Sequence, residues 1–319
     1  MIIDCHNHIG VDPLFYKNKW YPYAQDAESL VRQGTTLGVD YWVAFPFVSY
    51  LGLKLDDKEV WSLNPGEPQT PYAFENERFL TEVHQIFPDE GKKIIPFVML
   101  DPSRQTHEQV AALRQLKGRF PIAGLKIQAT IIQSPIRDLL DAGACLLDLA
   151  EEWDLPLLIH SSIHPEDIWS QAGDILDVVE ARPKIRFNVA HSCRFDRPSL
   201  DRLAELPNAW FDCSAHIIHT RLAVENSPVV ATPARRVDAD YRDPAAVLAR
   251  LHELYPNKIL WGSDSPFQSY IEISPDMEYR LFCTYKEEVD VLKAQSDSAI
   301  QDMAWTNPLA HLGASAPSA

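Results

Sequence analysis

Short apolar runs recur along the chain at 1–5, 39–45, 93–100, 122–127, 155–160, 185–190, 209–213 and 258–262. Each is rich in Ile, Val, Phe and Leu and is closed by turn-forming residues, the pattern of a strand covered on both faces. Between them, apolar positions fall at three- and four-residue spacing over 109–116, 138–153 and 245–254, which predicts amphipathic helices. Pro156, Pro183, Pro207 and Pro256 stand where helices should stop ahead of the next strand. Buried strands alternating with helices predict an α/β fold, a closed (β/α)8 TIM barrel forming a single domain over 1–312. A doubly wound open sheet is the rival, and it would require a glycine-rich phosphate turn after the first strand. That position holds His6-Asn7-His8-Ile9-Gly10, and the chain has no G-x-G-x-x-G.

Two connections are longer than a barrel needs. The one after strand two, 46–92, carries Tyr50, Trp61, Tyr72 and Phe74 before a helical stretch at 75–87, and the one after strand seven covers 216–242. Long connections act as lids, binding loops or subunit contacts. Residues 313–319 read as a disordered tail. The 319 residues carry 29 Lys+Arg against 45 Asp+Glu, a formal net charge of -16. That balance argues against nucleic acid and anionic membrane as partners and leaves a small-molecule substrate, with a homo-oligomer as an option. There is no apolar run of membrane-spanning length and no secretion signal after Met1. Cys5, Cys145, Cys193, Cys213 and Cys283 are scattered without a C-x-x-C pair, so reduced, packed thiols in a cytoplasmic protein are expected.

The chemistry gathers at the strand ends. His6 and His8 sit at i and i+2, so in a strand both face one side and can converge on a divalent ion. A pair of buried, hydrogen-bonded histidines is the plainer alternative. His160 ends the fifth run, His191 ends the sixth, Asp264 follows the eighth, and Lys126 lies near the end of the fourth. Polar residues at the C-terminal ends of different strands are where barrel active sites are built. Three imidazoles and a carboxylate suit zinc, with iron or manganese as alternatives. Arg194 offers a fork to a substrate carboxylate, or to Asp196 beside it. His216 and His219 follow strand seven near the same rim, His164 reads as a loop histidine, and alternation leaves the direction of Asp212 open. Trp20, Tyr21, Tyr23, Trp61 and Tyr72 form an aromatic wall or simply pack.

This set of residues resembles the amidohydrolase superfamily of metal-dependent barrels: H-x-H on strand one, Lys on four, His on five and six, Asp on eight. Tyr72-Ala73-Phe74-Glu75-Asn76-Glu77, Trp261-Gly262-Ser263-Asp264-Ser265-Pro266 and Asn307-Pro308-Leu309-Ala310-His311-Leu312 resemble the amidohydrolase-2 branch that includes aminocarboxymuconate-semialdehyde decarboxylase. The resemblance implies that His6, His8, His160 and Asp264 ligate a divalent metal, Zn2+ first, with one ion preferred over two. Lys126 joins the ligands only if carboxylated in a binuclear site. Asp264 then serves as base towards a metal-activated water, and His191 polarises the substrate or binds a second ion. Arg194, His216 and Trp61 are the substrate-binding candidates. The implied reaction is hydrolysis of an amide, lactone or other ester bond. Non-oxidative decarboxylation of an unsaturated or aromatic acid is the alternative, and a non-catalytic metal-binding barrel the second alternative.

Overall fold

The computed structural model describes residues 1–48, 50–66, 69–273 and 278–317, and it places a strand at each of the eight apolar runs. These are β1 Ile3–Val11, β2 Tyr41–Pro46, β3 Ile94–Leu100, β4 Gly124–Ile127, β5 Leu157–Ile159, β6 Phe187–Val189, β7 Ala209–Asp212 and β8 Ile259–Leu260. Consecutive strands pair in parallel from β1 through β8. The two ends of the sheet meet. Cys5 N donates to Trp261 O at 3.0 Å, Asp264 N to His6 O at 2.9 Å and His8 N to Ser265 O at 2.7 Å. The result is a TIM barrel, closed so that its strands have no free edges.

Helices α1 Ala27–Thr36, α2 Ala73–Thr81, α3 Thr106–Lys117, α4 Ala144–Glu152, α5 Ala172–Ala181, α6 Arg197–Ala204 and α7 Pro244–Leu254 alternate with the strands, and α8 Tyr285–Lys293 follows β8. Strand alternation divides the buried side chains into two layers. Leu125, Ile127, Leu157, Ile159, Phe187, Val189 and Phe211 pack outward with the helices. Cys5, Val43, Phe45, Phe97, Met99, Leu158 and Leu260 fill the barrel, and Lys126 lies among them over the Phe45 ring.

The elements depart from the expected spans in a few places. The helix expected over 138–153 is broken into a 3-10 turn, Ile136–Leu140, and α4. Gly143 sits at the break, where a Cβ would lie 2.3 Å from Pro102 O, so the backbone passes too close for any other residue. The stretch expected over 75–87 is α2 followed by a π-helical turn, Glu82–Ile86. The connection after β2 contains a hairpin of Leu53–Leu55 with Trp61–Leu63, and the one after β7 opens with a helix, His216–Val224. A further excursion follows β8, where Tyr270–Ile273 pairs with Glu278–Leu281 and with Trp20–Tyr21. The expected frayed tail begins with a 3-10 turn, Gly313–Ser315, and its last two residues lie outside the described ones. Cys5, Cys145, Cys193, Cys213 and Cys283 are free. Among the described residues no helix is long and apolar enough to cross a membrane.

Candidate metal centre

The β1/β8 side of the mouth is built on buried acids. Asp4 accepts from Ser263 N at 2.9 Å, Ser263 Oγ at 2.6 Å and Tyr285 Oη at 2.9 Å, which ties β1 to the segment after β8. Burial pushes Asp4 up to about 6, even though these bonds pull the other way. Gly262 completes the fit, since a Cβ there would stand 2.9 Å from the His6 Cβ. His6 Nδ1 donates to Asp212 Oδ2 at 3.0 Å. Burial would raise Asp212, but His6 and the hydrogen bonds from Ser214 and the His191 amide outweigh it and hold the carboxyl well below the usual carboxylate range. With its proton on Nδ1, His6 turns the lone pair of Nε2 towards Asp264 Oδ1, 3.3 Å away. His8 Nε2 lies at the same 3.3 Å from that oxygen, and His8 Nδ1 is buried without a partner.

A lone pair facing a carboxylate oxygen at this distance is repulsive unless something positive is shared between them. Lys126 Nζ approaches His6 Nε2 at 3.4 Å, but burial pulls Lys126 down to about 7, so it is a weak cation near neutral pH. Bonds of about 2.0–2.1 Å from a tetrahedral ion put neighbouring ligand atoms about 3.3–3.4 Å apart. Each of the two separations, taken singly, matches that edge. The set whose donor atoms all lie within 4.8 Å of one another is His6, His191 and Asp264, without His8. The chemistry of this donor set fits a divalent cation, and Asp212 stands where it would orient His6 as a metal-binding imidazole.

The β5/β6 side is organised differently. Residues His191 to Phe195 all carry positive φ (63°, 51°, 45°, 54° and 66°), a left-handed turn without a glycine. Each such residue costs about 1–2 kcal/mol, so the surroundings must hold the turn in place. The turn sends both His191 and Arg194 to His160. Arg194 Nη2 donates to His160 Nε2 at 3.2 Å, and His160 Nδ1 and His191 Nε2 are 2.9 Å apart. His191 Nδ1 reaches Ser214 Oγ at 2.8 Å, and Ser214 Oγ in turn bonds Asp212 Oδ1. A guanidinium can only donate and a carboxylate can only accept, so every proton along this chain has one direction: Arg194 to His160 to His191 to Ser214 to Asp212. His160 and His191 are thereby neutral, and burial, with Arg194 next, holds both well below the usual histidine range.

Arg194 is buried and makes its remaining bonds to Ser161 O at 3.0 Å and to His219 Nε2. It does not pair with Asp196. That carboxylate takes Arg235 at 2.8 and 2.9 Å and caps α6 through Ser199. Among the described residues no carboxylate lies within ion-pair distance of Arg194. His216, expected at the rim, is turned away to Pro244 O at 2.8 Å and packs on Phe195, while His219 takes the place beside His191. Trp61 lies outside the imidazole cluster, with its ring 4.7 Å from that of Tyr50. His164 is a loop residue whose Nδ1 accepts from Glu166 N. Trp20 and Tyr21 join the strand excursion after β8, and Tyr72 is buried with the barrel interior.

A profile of the amidohydrolase family matches residues 3–314. The chain belongs to the amidohydrolase family. A zinc-bound amidohydrolase from Burkholderia multivorans has the same fold, at 13% identity and a TM-score of 0.59 over 98% of this chain and 99% of that one. A TIM-barrel protein from Bordetella bronchiseptica is similar at 12% identity and a TM-score of 0.60, over 98% and 99% of the two chains. The dihydroorotase of Campylobacter jejuni is similar at 14% identity and a TM-score of 0.53, over 97% of this chain and 82% of its own. No curated protein matches. Membership makes this amidohydrolase one of a superfamily of metal-dependent hydrolases.

Proposed function

We propose that this amidohydrolase cleaves an amide, lactone or other ester bond of a small molecule at the mouth between β1 and β8. The observation that carries the proposal is the pair of imidazole nitrogens, His6 Nε2 and His8 Nε2, each 3.3 Å from one oxygen of Asp264. His6, His8 and Asp264 would hold the cation, zinc first, with His191 within reach and His160 available if it gives up its bond to His191. One ion is preferred, because Lys126 is already placed against His6 and over the Phe45 ring, an arrangement that an unmodified side chain satisfies. When bound, a divalent cation supplies Lewis acidity and lowers the pKa of water to about 7.

The remaining work belongs to the chain. Asp264, at the end of the cluster and held at φ 67°, is placed to accept a proton from water and return it to the leaving group. Arg194 presents a buried positive charge beside His160 and takes either a substrate carboxylate or the oxygen that becomes negative during attack. Burial of the cluster excludes bulk water and strengthens both interactions. A turnover panel of lactones, aryl esters, amides and unsaturated carboxylic acids with zinc-loaded protein tests the proposal. Appearance of the new carboxylate by liquid chromatography with mass spectrometry, without CO2, supports hydrolysis. CO2 release from the unsaturated acids would replace it with decarboxylation.

A further inference from the structure

An apolar cavity of about 430 Å³ opens beside the barrel mouth, on the opposite face of β1 from the imidazoles. Ile9 and Val11 line it, alternating with the inward-facing His8, Phe47, Val48, Trp61 and Phe79 supply further apolar walls, and Lys17, Glu75, Arg78 and Glu82 also border it. Its floor is apolar and buried: Ile9, Phe47, Val48 and Phe79 are all buried, whereas Val11 at the rim is 51% exposed. Phe47 stands between this space and the imidazole cluster. Phe47 lines the cavity with its ring and meets His8 at a centroid distance of 5.7 Å and Phe267 at 5.1 Å. None of the hydrogen bonds that position the metal centre involves the cavity walls, so the catalytic cluster does not account for it.

We propose that this cavity receives an apolar arm of the substrate, an alkyl or aryl group attached to the bond that is cleaved, with Phe47 as the partition that the arm passes. The volume falls within the range of small-molecule sites, about 300–1,000 Å³, and the apolar lining selects for carbon rather than charge. Concavity separates it from a docking face. A second protein surface meets a broad patch, whereas here Ile9, Phe47, Val48 and Phe79 form a buried floor beneath an open side that carries Val11, Leu51 and Phe74. The contact of Phe47 with both the cavity and His8 selects the substrate over an unrelated apolar ligand. The inference rests on the hydrolase reading for the reaction, but not for the binding.

The test uses the metal-loaded full chain and its Val11→Trp variant, which fills the cavity from the exposed rim without touching the imidazoles. Titration with the neutral probe N-phenyl-1-naphthylamine should show one saturable fluorescent site, weakened about tenfold or more in Val11→Trp. Across p-nitrophenyl esters from acetate to octanoate, kcat/KM should rise with chain length in the wild type and stay level in the variant, with acetate turnover equal in both. Equal probe binding by the two proteins, or a level ester series in the wild type, overturns the proposal. A loss of oligomer mass by light scattering in Val11→Trp, with probe binding unchanged, would also overturn it and assign the cavity to a second copy of the chain. Val11-dependent probe binding without turnover of any ester, lactone or amide would uphold the cavity as an apolar ligand site and contradict the hydrolase reading instead.

Discussion

On the β1/β8 side of the mouth, His6 and His8 each aim Nε2 at a single oxygen of Asp264 from 3.3 Å, while on the β5/β6 side His160 and His191 aim at each other from 2.9 Å. The residue type is the same, and three of the rings are buried and His160 partly buried, so the difference lies in what stands behind the rings. Asp212 accepts the Nδ1 hydrogen of His6 and leaves Nε2 as an acceptor between Lys126 Nζ and Asp264 Oδ1, a position that a shared cation would satisfy. Arg194 feeds a proton into His160, whose other nitrogen then gives one to His191, so those rings satisfy each other. The first side is a donor set that a bound cation would satisfy. The second is a closed hydrogen-bond chain that presents a guanidinium. Counting histidines does not separate the two; the hydrogen bonds to the distal nitrogens do.

The contrast can be broken most severely at Asp264. Asp264→Asn should lower kcat by about 10³-fold or more while metal content, measured by plasma mass spectrometry, falls less. Normal turnover would remove its role as base. Removing a ligand ring comes next. His6→Ala should lose metal and activity together, whereas His160→Ala, on the self-satisfied side, should keep the larger share of its metal. Equal metal loss in both variants would mean that the β5 ring joins the ligands when the ion binds. Asp212→Asn sharpens the comparison from behind, because it acts on both sides at once. Metal affinity by competition with a chelator should fall about 10–100-fold. Arg194→Met should then raise KM for carboxylated substrates over their neutral analogues and leave metal content alone.

The smallest expected effect concerns Glu288 on α8. Its Oε1 accepts from Ile217 N at 3.0 Å, at the start of the helix that carries His219, and its Oε2 is buried without a partner. Burial pushes this carboxyl up to about 8 from an ordinary value of 4.5. Between those two values the folded state holds the proton more tightly than the unfolded chain, so its contribution to stability falls as pH rises from about 4.5 to about 8. Glu288→Gln should therefore melt higher than wild type at pH 8 and show little advantage at pH 5. The reverse order in a thermal scan would mean that the carboxyl is ionised and supported.

The barrel was legible because its strands are covered on both faces. Each of the eight runs is continuous and apolar, and the observed strands fall within those runs or, for β1 and β2, extend past them at the end leading to the mouth. Placement of His6, His160, His191 and Asp264 at one end followed from the same reading. What the pattern does not carry is any feature set by contact between distant segments. The left-handed turn from His191 to Phe195 has no glycine to announce it, and the break before α4 depends on how near Pro102 O comes. Asp212 was readable in retrospect. An acid within a run as apolar as β7 has no place against the helices, so the barrel interior is the only side that can satisfy it. His216 and His219 lie three apart on one helix, and only the docking of that helix decides which of them reaches Arg194.

The most direct test of the account is the metal content of the wild-type chain purified without chelator, read by plasma mass spectrometry together with anomalous scattering at the zinc edge from a crystal. The account predicts about one divalent ion per chain, with its anomalous peak between His6 Nε2, His8 Nε2 and Asp264. Protein that holds no transition metal and takes none up from a zinc-containing buffer, or a peak lying away from Asp264, would contradict it.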